Sequence, residues 1–229
     1  MKLAKPCVDL GLNTNNLEPM LLFWQSKAGL SFDHVLPIRK GVKQYRHDVS
    51  GSVLKINHFS EPLPDTRASG YVELLIARAG VHEPLSSSDP DGNRVTLVRP
   101  GWEGIEQVAV RMHVRDPEAH RHFFSQALDL AQVRTERGIA FRAGRTLLFA
   151  EYSGDAPTDA VMDGKGFRYI TFQVFKTDEE HANVLANGGR EAMAPRTLGN
   201  TARISMVRDP DGNWVEISQR ASITGSLEP

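Results

Sequence analysis

Cysteine is nearly missing from this chain: Cys7 stands alone among 229 residues. An internal disulfide and a cysteine-rich zinc site are thereby excluded, and the default for one such thiol is a buried, inert side chain. Long apolar runs are missing too. "MLLFW" is among the longest, far short of the roughly 20 residues of a membrane-spanning helix. The opening "MKLAKPCVDLGL" has neither the continuous apolar core nor the cleavage signal of a targeting peptide. Neither sign of charge is in excess, since the formal net charge is −1, so nothing draws the chain to nucleic acid or an anionic membrane. At 40% hydrophobic and 24% charged residues the composition is that of an ordinary globular protein. The length suits one large domain or two small ones, either able to bury a core. The expectation is a cytoplasmic protein whose partner is a small molecule.

What is present is written twice. "DPDGN" occurs at Asp89–Asn93 and again at Asp209–Asn213, followed by "RVTLV" and then by "WVEIS". "NLEPMLLFWQSKAGL" (16–30) aligns without a gap with "DPEAHRHFFSQALDL" (116–130), and "VDLGLNT" (8–14) with "VAVRMHV" (108–114). These last two segments are apolar at alternate positions, as half-buried strands are. The first helix puts Leu17, Met20, Leu21, Trp24 and Ala28 on one face. "KQYRHDV" and "SVLKINHF", joined by Ser-Gly, predict a hairpin. Copy two carries an extra helix, "TDEEHANVLANGG" (177–189), acidic at its start and closed by glycines. Copy one has only "ARAGVHEPLSSS" there. An Asp-Pro-Asp-Gly-Asn run is a turn former before it is anything else. Internal order of this kind predicts an α+β protein whose repeats span 1–102 and 103–221, with a tail at 222–229.

Strand, "FW" helix, strands and a closing "DPDGNWVEI" resemble the vicinal oxygen chelate superfamily, which includes glyoxalase I, bleomycin resistance proteins and extradiol dioxygenases. The resemblance implies tandem βαβββ modules, four in all with the second truncated, forming curved mixed sheets around a cavity. It also implies a site shared by two modules, with ligand positions near the start of the first strand and on the last. Carried over residue by residue, those positions fall at Asp9, Lys55, Tyr169 and Glu216 if modules one and four pair. Modules two and three would then share Tyr71, Thr96, Ala109 and Leu148, a nearly inert set. The family's usual chemistry uses a divalent ion to polarise neighbouring oxygens.

Here none of the first four positions is histidine, and a charged lysine has no lone pair to offer a metal. The Lys55 ammonium is therefore expected to replace the ion as stabiliser of a substrate oxyanion or enolate. Asp9 or Glu216 would act as base and Tyr169 as hydrogen-bond donor or acid. On this reading no cofactor is required, and the activity is a lyase or isomerase reaction beside a carbonyl or on an aromatic compound. Two alternatives stand. One is a metal-dependent dioxygenase or glyoxalase-type lyase holding Fe, Mn or Zn on Glu216 and Asp9, with His113 as a further ligand. The other is a drug-binding protein in which the same charges form a satisfied network. His120 and His122 read as solvated or capping residues. Both a monomer and a homodimer suit the tandem plan.

Overall fold

The computed structural model describes residues 1–136 and 138–228. Pro229, the last residue of the expected tail, lies outside the described residues. The first module comprises β1 (Leu3–Thr14), α1 (Leu17–Leu22), β2 (Ser31–Arg39), β3 (Val42–Val49) and β4 (Ser52–Phe59). The second has only β5 (Tyr71–Ala77), β6 (Leu85–Ser88) and β7 (Arg94–Val98). The third repeats the first as β8 (Val108–Val114), α2 (Pro117–His122), β9 (Ala131–Thr135), β10 (Gly138–Ala143) and β11 (Thr146–Tyr152). The fourth comprises β12 (Gly166–Val174), α3 (Thr177–Ala186), β13 (Arg190–Leu198), β14 (Ala202–Arg208) and β15 (Trp214–Arg220), and the short α4 (Ala221–Thr224) follows. No helix among the described residues is long and apolar enough to cross a membrane.

Pairing between modules is crossed. Modules one and four make an eight-stranded sheet in the order β13-β14-β15-β12-β1-β4-β3-β2. Modules two and three make a seven-stranded sheet, β6-β7-β5-β8-β11-β10-β9. The smaller sheet lacks a counterpart of β13, so module two has lost a strand as well as the helix that sequence comparison finds missing.

Period-two patterning assigns the faces. In β1, Val8, Leu10 and Leu12 enter one apolar core with Leu54 and Ile56 of β4 and Ile170 and Phe172 of β12. Leu74, Val110 and Leu148 of the smaller sheet join the same core, as do Met20 and Trp24. The alternate residues Asp9, Gly11 and Asn13 face the other way. The helices deliver their aromatics by a shared device: each widens at its end into a π turn, with Ala28 N–H bonded to Phe23 O and Leu128 N–H to Phe123 O, both at 2.9 Å. The wider turn brings two successive aromatics, Phe23–Trp24 and Phe123–Phe124, onto the buried side.

The repeated turn stitches these parts together. Asp89 Oδ1 accepts from the N–H groups of Asp91 (3.0 Å) and Asn93 (2.8 Å), and Oδ2 accepts from Asn93 Nδ2 (2.8 Å) and Trp24 Nε1 (3.2 Å). Asp209 accepts from Asn213 N and Nδ2, both at 2.8 Å, and from His120 Nε2 at 3.3 Å. Each aspartate thus ties its turn to the helix of its own repeat. Each asparagine reaches the other repeat: Asn93 Oδ1 accepts from Phe167 N at 3.2 Å, and Asn213 Oδ1 from Gly70 N at 2.6 Å. His120 is therefore not solvated, as its polar sequence context suggested. It is fully buried, and its Nδ1 lies 2.9 Å from Asp116 O. Two acceptors, one on each ring nitrogen, call for the doubly protonated ring.

Candidate active site

The face of the larger sheet that points away from the core is polar, yet its side chains are buried. Parallel pairing sets Gly11 beside Lys55 on β1 and β4, and Thr171 beside Glu216 on β12 and β15. Because β1 also pairs with β12, Asp9, Lys55, Tyr169, Thr171 and Glu216 come from four adjacent strands onto one surface.

Lys55 lies at the centre. Its Nζ donates to Thr171 Oγ1 at 2.6 Å and to Glu216 Oε2 at 3.3 Å, and sits 5.2 Å from the centre of the Tyr169 ring. Thr171 relays the contact, donating to Glu216 Oε2 at 3.3 Å. A longer contact runs from Nζ to Glu216 Oε1 at 3.5 Å, and among the described residues only Thr171 and Glu216 accept from the ammonium. Burial drives Lys55 below the usual ammonium range; Glu216 and Asp9 pull it back, and Arg46 opposes them. At the effective dielectric of about 20 that suits such sites, a contact at this separation gives roughly 5 kcal/mol of attraction. Desolvating two ions costs several kcal/mol each, so the pair adds little to stability.

The two carboxylates differ. Asp9 Oδ1 accepts from Lys5 Nζ (2.7 Å) and Val53 N (2.9 Å), and Oδ2 from Gln173 Nε2 (3.2 Å). Three donors, one of them cationic, occupy its oxygens. Glu216 accepts only from Lys55 and Thr171, at 3.3–3.5 Å, and is the less tightly held of the two carboxylates. The Tyr169 hydroxyl accepts from Asn57 Nδ2 (3.2 Å) and Gln44 Nε2 (3.3 Å). Burial, with the nearby Glu216 charge, pushes its pKa above the usual phenol range, so it remains a proton donor. Its ring lies flat across Gly11: a Cβ there would fall 2.2 Å from the ring carbons. Gly11, Thr171, Gln44, Asn57 and Arg46 complete the surface and were not singled out in the sequence. For Gly11 a signal exists, because glycine inside a strand marks close approach by another group.

Register corrects the second set of positions. Arg111 pairs with Phe149, as Gly11 pairs with Lys55, so Phe149 and not Leu148 is the counterpart of Lys55. Leu148 belongs to the main core. Trp214 and Arg94 each follow a "DPDGN" turn and pair with Tyr169 and Glu73. Glu73, not Tyr71, is therefore the counterpart of Tyr169. Tyr71 instead donates to Trp214 O at 2.9 Å. The second surface is not inert: Glu73 is clamped by Arg94 Nε (3.1 Å) and by Arg111, and Thr96 donates to it. A cavity of about 340 Å³ lies between α2 and strands β10 and β11, lined by Pro117, Phe141 and Tyr152; Glu118 and Arg121, also lining it, are exposed and bonded to each other.

A sequence model of the Glyoxalase/Bleomycin resistance protein/Dioxygenase superfamily matches residues 104–217. Through these residues the chain belongs to that superfamily. Curated proteins give no sequence match. Among solved structures, a glyoxalase I mutant from Zea mays is similar at 15% identity, covering 97% of this chain and 96% of that one, with a TM-score of 0.78. Glyoxalase I from Zea mays matches at 14% identity over 93% and 92%, with a TM-score of 0.73. The cppA protein of Streptococcus pneumoniae TIGR4 matches at 8% identity over 95% and 98%, with a TM-score of 0.55. At these identities the likeness is one of fold. The superfamily hosts both enzymes and resistance proteins, so the chemistry rests on this site alone.

Such a fold raises the question of a divalent ion, and the residues present do not suit one. Lys55 holds a positive charge where a ligand would be needed, and Asp9 has given its oxygens to three donors. His113 sits on β8 of the smaller sheet, beside Glu151 across the strand pair, and does not join Asp9 and Glu216. Among the described residues no three His, Cys, Asp or Glu side chains converge to hold a metal ion.

Proposed function

We propose that the larger sheet carries an active site for acid–base chemistry beside a carbonyl, of the isomerase or lyase kind, on a small organic molecule. The observation that carries this reading is the buried Lys55 ammonium, held by Thr171 and spread over both oxygens of Glu216 in long contacts that a substrate oxygen can displace. The carbonyl oxygen docks on that ammonium and on the Tyr169 hydroxyl. Glu216 takes the proton from the adjacent carbon, and the electron pair moves into the carbonyl to give an enolate held by Lys55. Reprotonation at a neighbouring carbon completes an isomerisation; loss of a leaving group from that carbon completes an elimination. The charge of Asp9 favours the ammonium form of Lys55. A fixed oxyanion donor of this type contributes about 10²–10³-fold, and a positioned base about 10²–10⁴-fold.

Exchange of carbonyl-adjacent protons in D₂O, followed by proton NMR over a panel of small carbonyl compounds, tests this. Wild-type protein free of metal by elemental analysis is expected to accelerate exchange. Lys55→Met is expected to slow it by about 10²-fold or more. A Lys55→Met, Glu216→Gln double variant removes both charges together and keeps the fold testable. Equal rates in wild type and Lys55→Met, or exchange that appears only after adding Fe(II), Mn(II) or Zn(II), would overturn the reading.

A further inference from the structure

The same surface holds two guanidinium groups that the mechanism above does not use. Arg46 on β3 is the direct cross-strand partner of Lys55 and is only 5% exposed. Its Nη1 donates to Gln44 Oε1 at 2.7 Å, while its Nε is buried with no acceptor among the described residues. Arg220 ends β15 on the face of Glu216, two strand repeats further on. Burial first, then the charge of Arg46, lowers its pKa, so the two guanidiniums lie within each other's field. Neither has a carboxylate partner among the described residues. The carboxylates close by are taken: Asp9 by Lys5 and Glu216 by Lys55. Asp33, whose charge also reaches Arg220, is exposed at the rim and paired with His34 at 2.9 Å.

A buried cation without a counter-ion costs several kcal/mol, and a half-bonded guanidinium is shaped to receive a planar anion through parallel N–H groups. Directly opposed residues on neighbouring strands have Cβ atoms about 5 Å apart. The anion held by Arg46 is then adjacent to the oxygen held by Lys55. We infer that the substrate is a short oxo acid, its carboxylate on Arg46 with Arg220 beside it and its carbonyl oxygen on Lys55. The assignment of the carbonyl rests on the proposed function; the carboxylate site stands on the arginines themselves.

Calorimetric titration separates the two. Pyruvate and 2-oxoglutarate serve as probes, methyl pyruvate as the neutral control and inorganic phosphate as the competing anion. An oxo acid is expected to bind wild type at least about tenfold more tightly than methyl pyruvate, a factor worth 1.4 kcal/mol. Arg46→Gln is expected to lose that advantage, Arg46→Lys to recover part of it, and Arg220→Gln to weaken it less. Lys55→Met is expected to weaken binding of the oxo acids, and adding Arg46→Gln to it is expected to weaken binding further. Arg46-dependent binding without any proton exchange would end the proposed function and leave the carboxylate site standing. Arg46→Met relieves an uncompensated buried charge and is expected to raise the melting temperature in the absence of ligand. A lowered melting temperature would make Arg46 structural. That result, binding unaffected by Arg46→Gln, no binding of either oxo acid, or Arg46-dependent binding of phosphate alone would overturn the inference.

Discussion

On the larger sheet, strand register sets Lys55 beside Gly11 and Glu216 beside Thr171; on the smaller, it sets Phe149 beside Arg111 and Thr96 beside Leu75. One plan thus gives two surfaces of opposite sign at the centre. On the smaller the charges are paired, although Arg111 Nε, like Arg46 Nε, is buried with no acceptor among the described residues. Leu75, Ala109, Leu147 and Phe149 form an apolar cluster with Val98 and Ile105, and the buried Glu73 has Arg94, Arg111 and Thr96 around it. Arg111 is further held by Glu151 at 2.9 Å. The larger surface has polar groups in the same places, a lysine loosely held by Glu216 and two arginines with no carboxylate partner among the described residues. Charge pairing is what stability alone would select; cations without carboxylates are what the proposed ligand would complete.

The sharpest way to break this comparison is to remove the clamp on the smaller sheet. Glu73→Ala leaves Arg111 partly buried beside Arg94 and is expected to cost about 3 kcal/mol, at the lower end for broken buried pairs because both arginines reach solvent. Urea unfolding measures it. Proton exchange and oxo-acid binding should be unchanged when corrected for the folded fraction. Loss of either function at full folding would mean that the smaller surface takes part.

A second variant sharpens the comparison from the other side. Gly11 occupies the place of Arg111, and only the absence of a side chain lets the Tyr169 ring cross β1. Gly11→Ala forces that ring aside, at a cost of about 1–3 kcal/mol for an overpacked site. Exchange is expected to fall by about tenfold through kcat, because a hydroxyl displaced from the reacting oxygen loses transition-state contact. If kcat holds and only the unfolding midpoint moves, Tyr169 is a packing residue.

Much of this architecture was legible in the chain. The paired "DPDGN" turns and helices carry the repeat, and period-two alternation in "VDLGLNT" already separates Val8, Leu10 and Leu12 from Asp9 and Asn13. Asp9, Lys55, Tyr169 and Glu216 are the positions that the family resemblance implies, and they share one face because each lies on a paired strand of the larger sheet. Leu148 and Tyr71 were misplaced for a physical reason: a strand slipped by one residue presents its other face, and the second module, having no helix, offers no landmark ahead of its turn. Arg46 was invisible because "KQYRHDV" is polar on both faces. Only its pairing with β4 shows that Gln44 and Arg46 share the side of Lys55, while His47 faces the other way to Gln25, 3.1 Å distant. His120 was misread because a helix rich in histidine and arginine looks solvated until the second turn's Asp209 is brought against it.

Those two histidines give the smallest and most specific test. Burial works against the charged form of His120, but the bond and charge of Asp209 outweigh it and raise its pKa above 6.5. A raised base contributes stability that is complete below the unfolded pKa and is lost as pH rises through the folded one. His47 is lowered instead, chiefly by burial. It adds nothing above 6.5 and penalises the fold as pH falls from there through its folded pKa. His120→Gln is expected to cost about 1–2 kcal/mol at pH 6, with the gap to wild type narrowing toward pH 8. His47→Gln is expected to show the reverse slope, gaining on wild type as pH drops. Thermal melts of the three proteins between about pH 5 and 8 measure both slopes. A gap for His120→Gln that does not change with pH would mean that the ring is neutral. The Asp209 contact would then be packing, and the second turn would lack the ionic tie to its helix that distinguishes it from the Trp24 tie of the first.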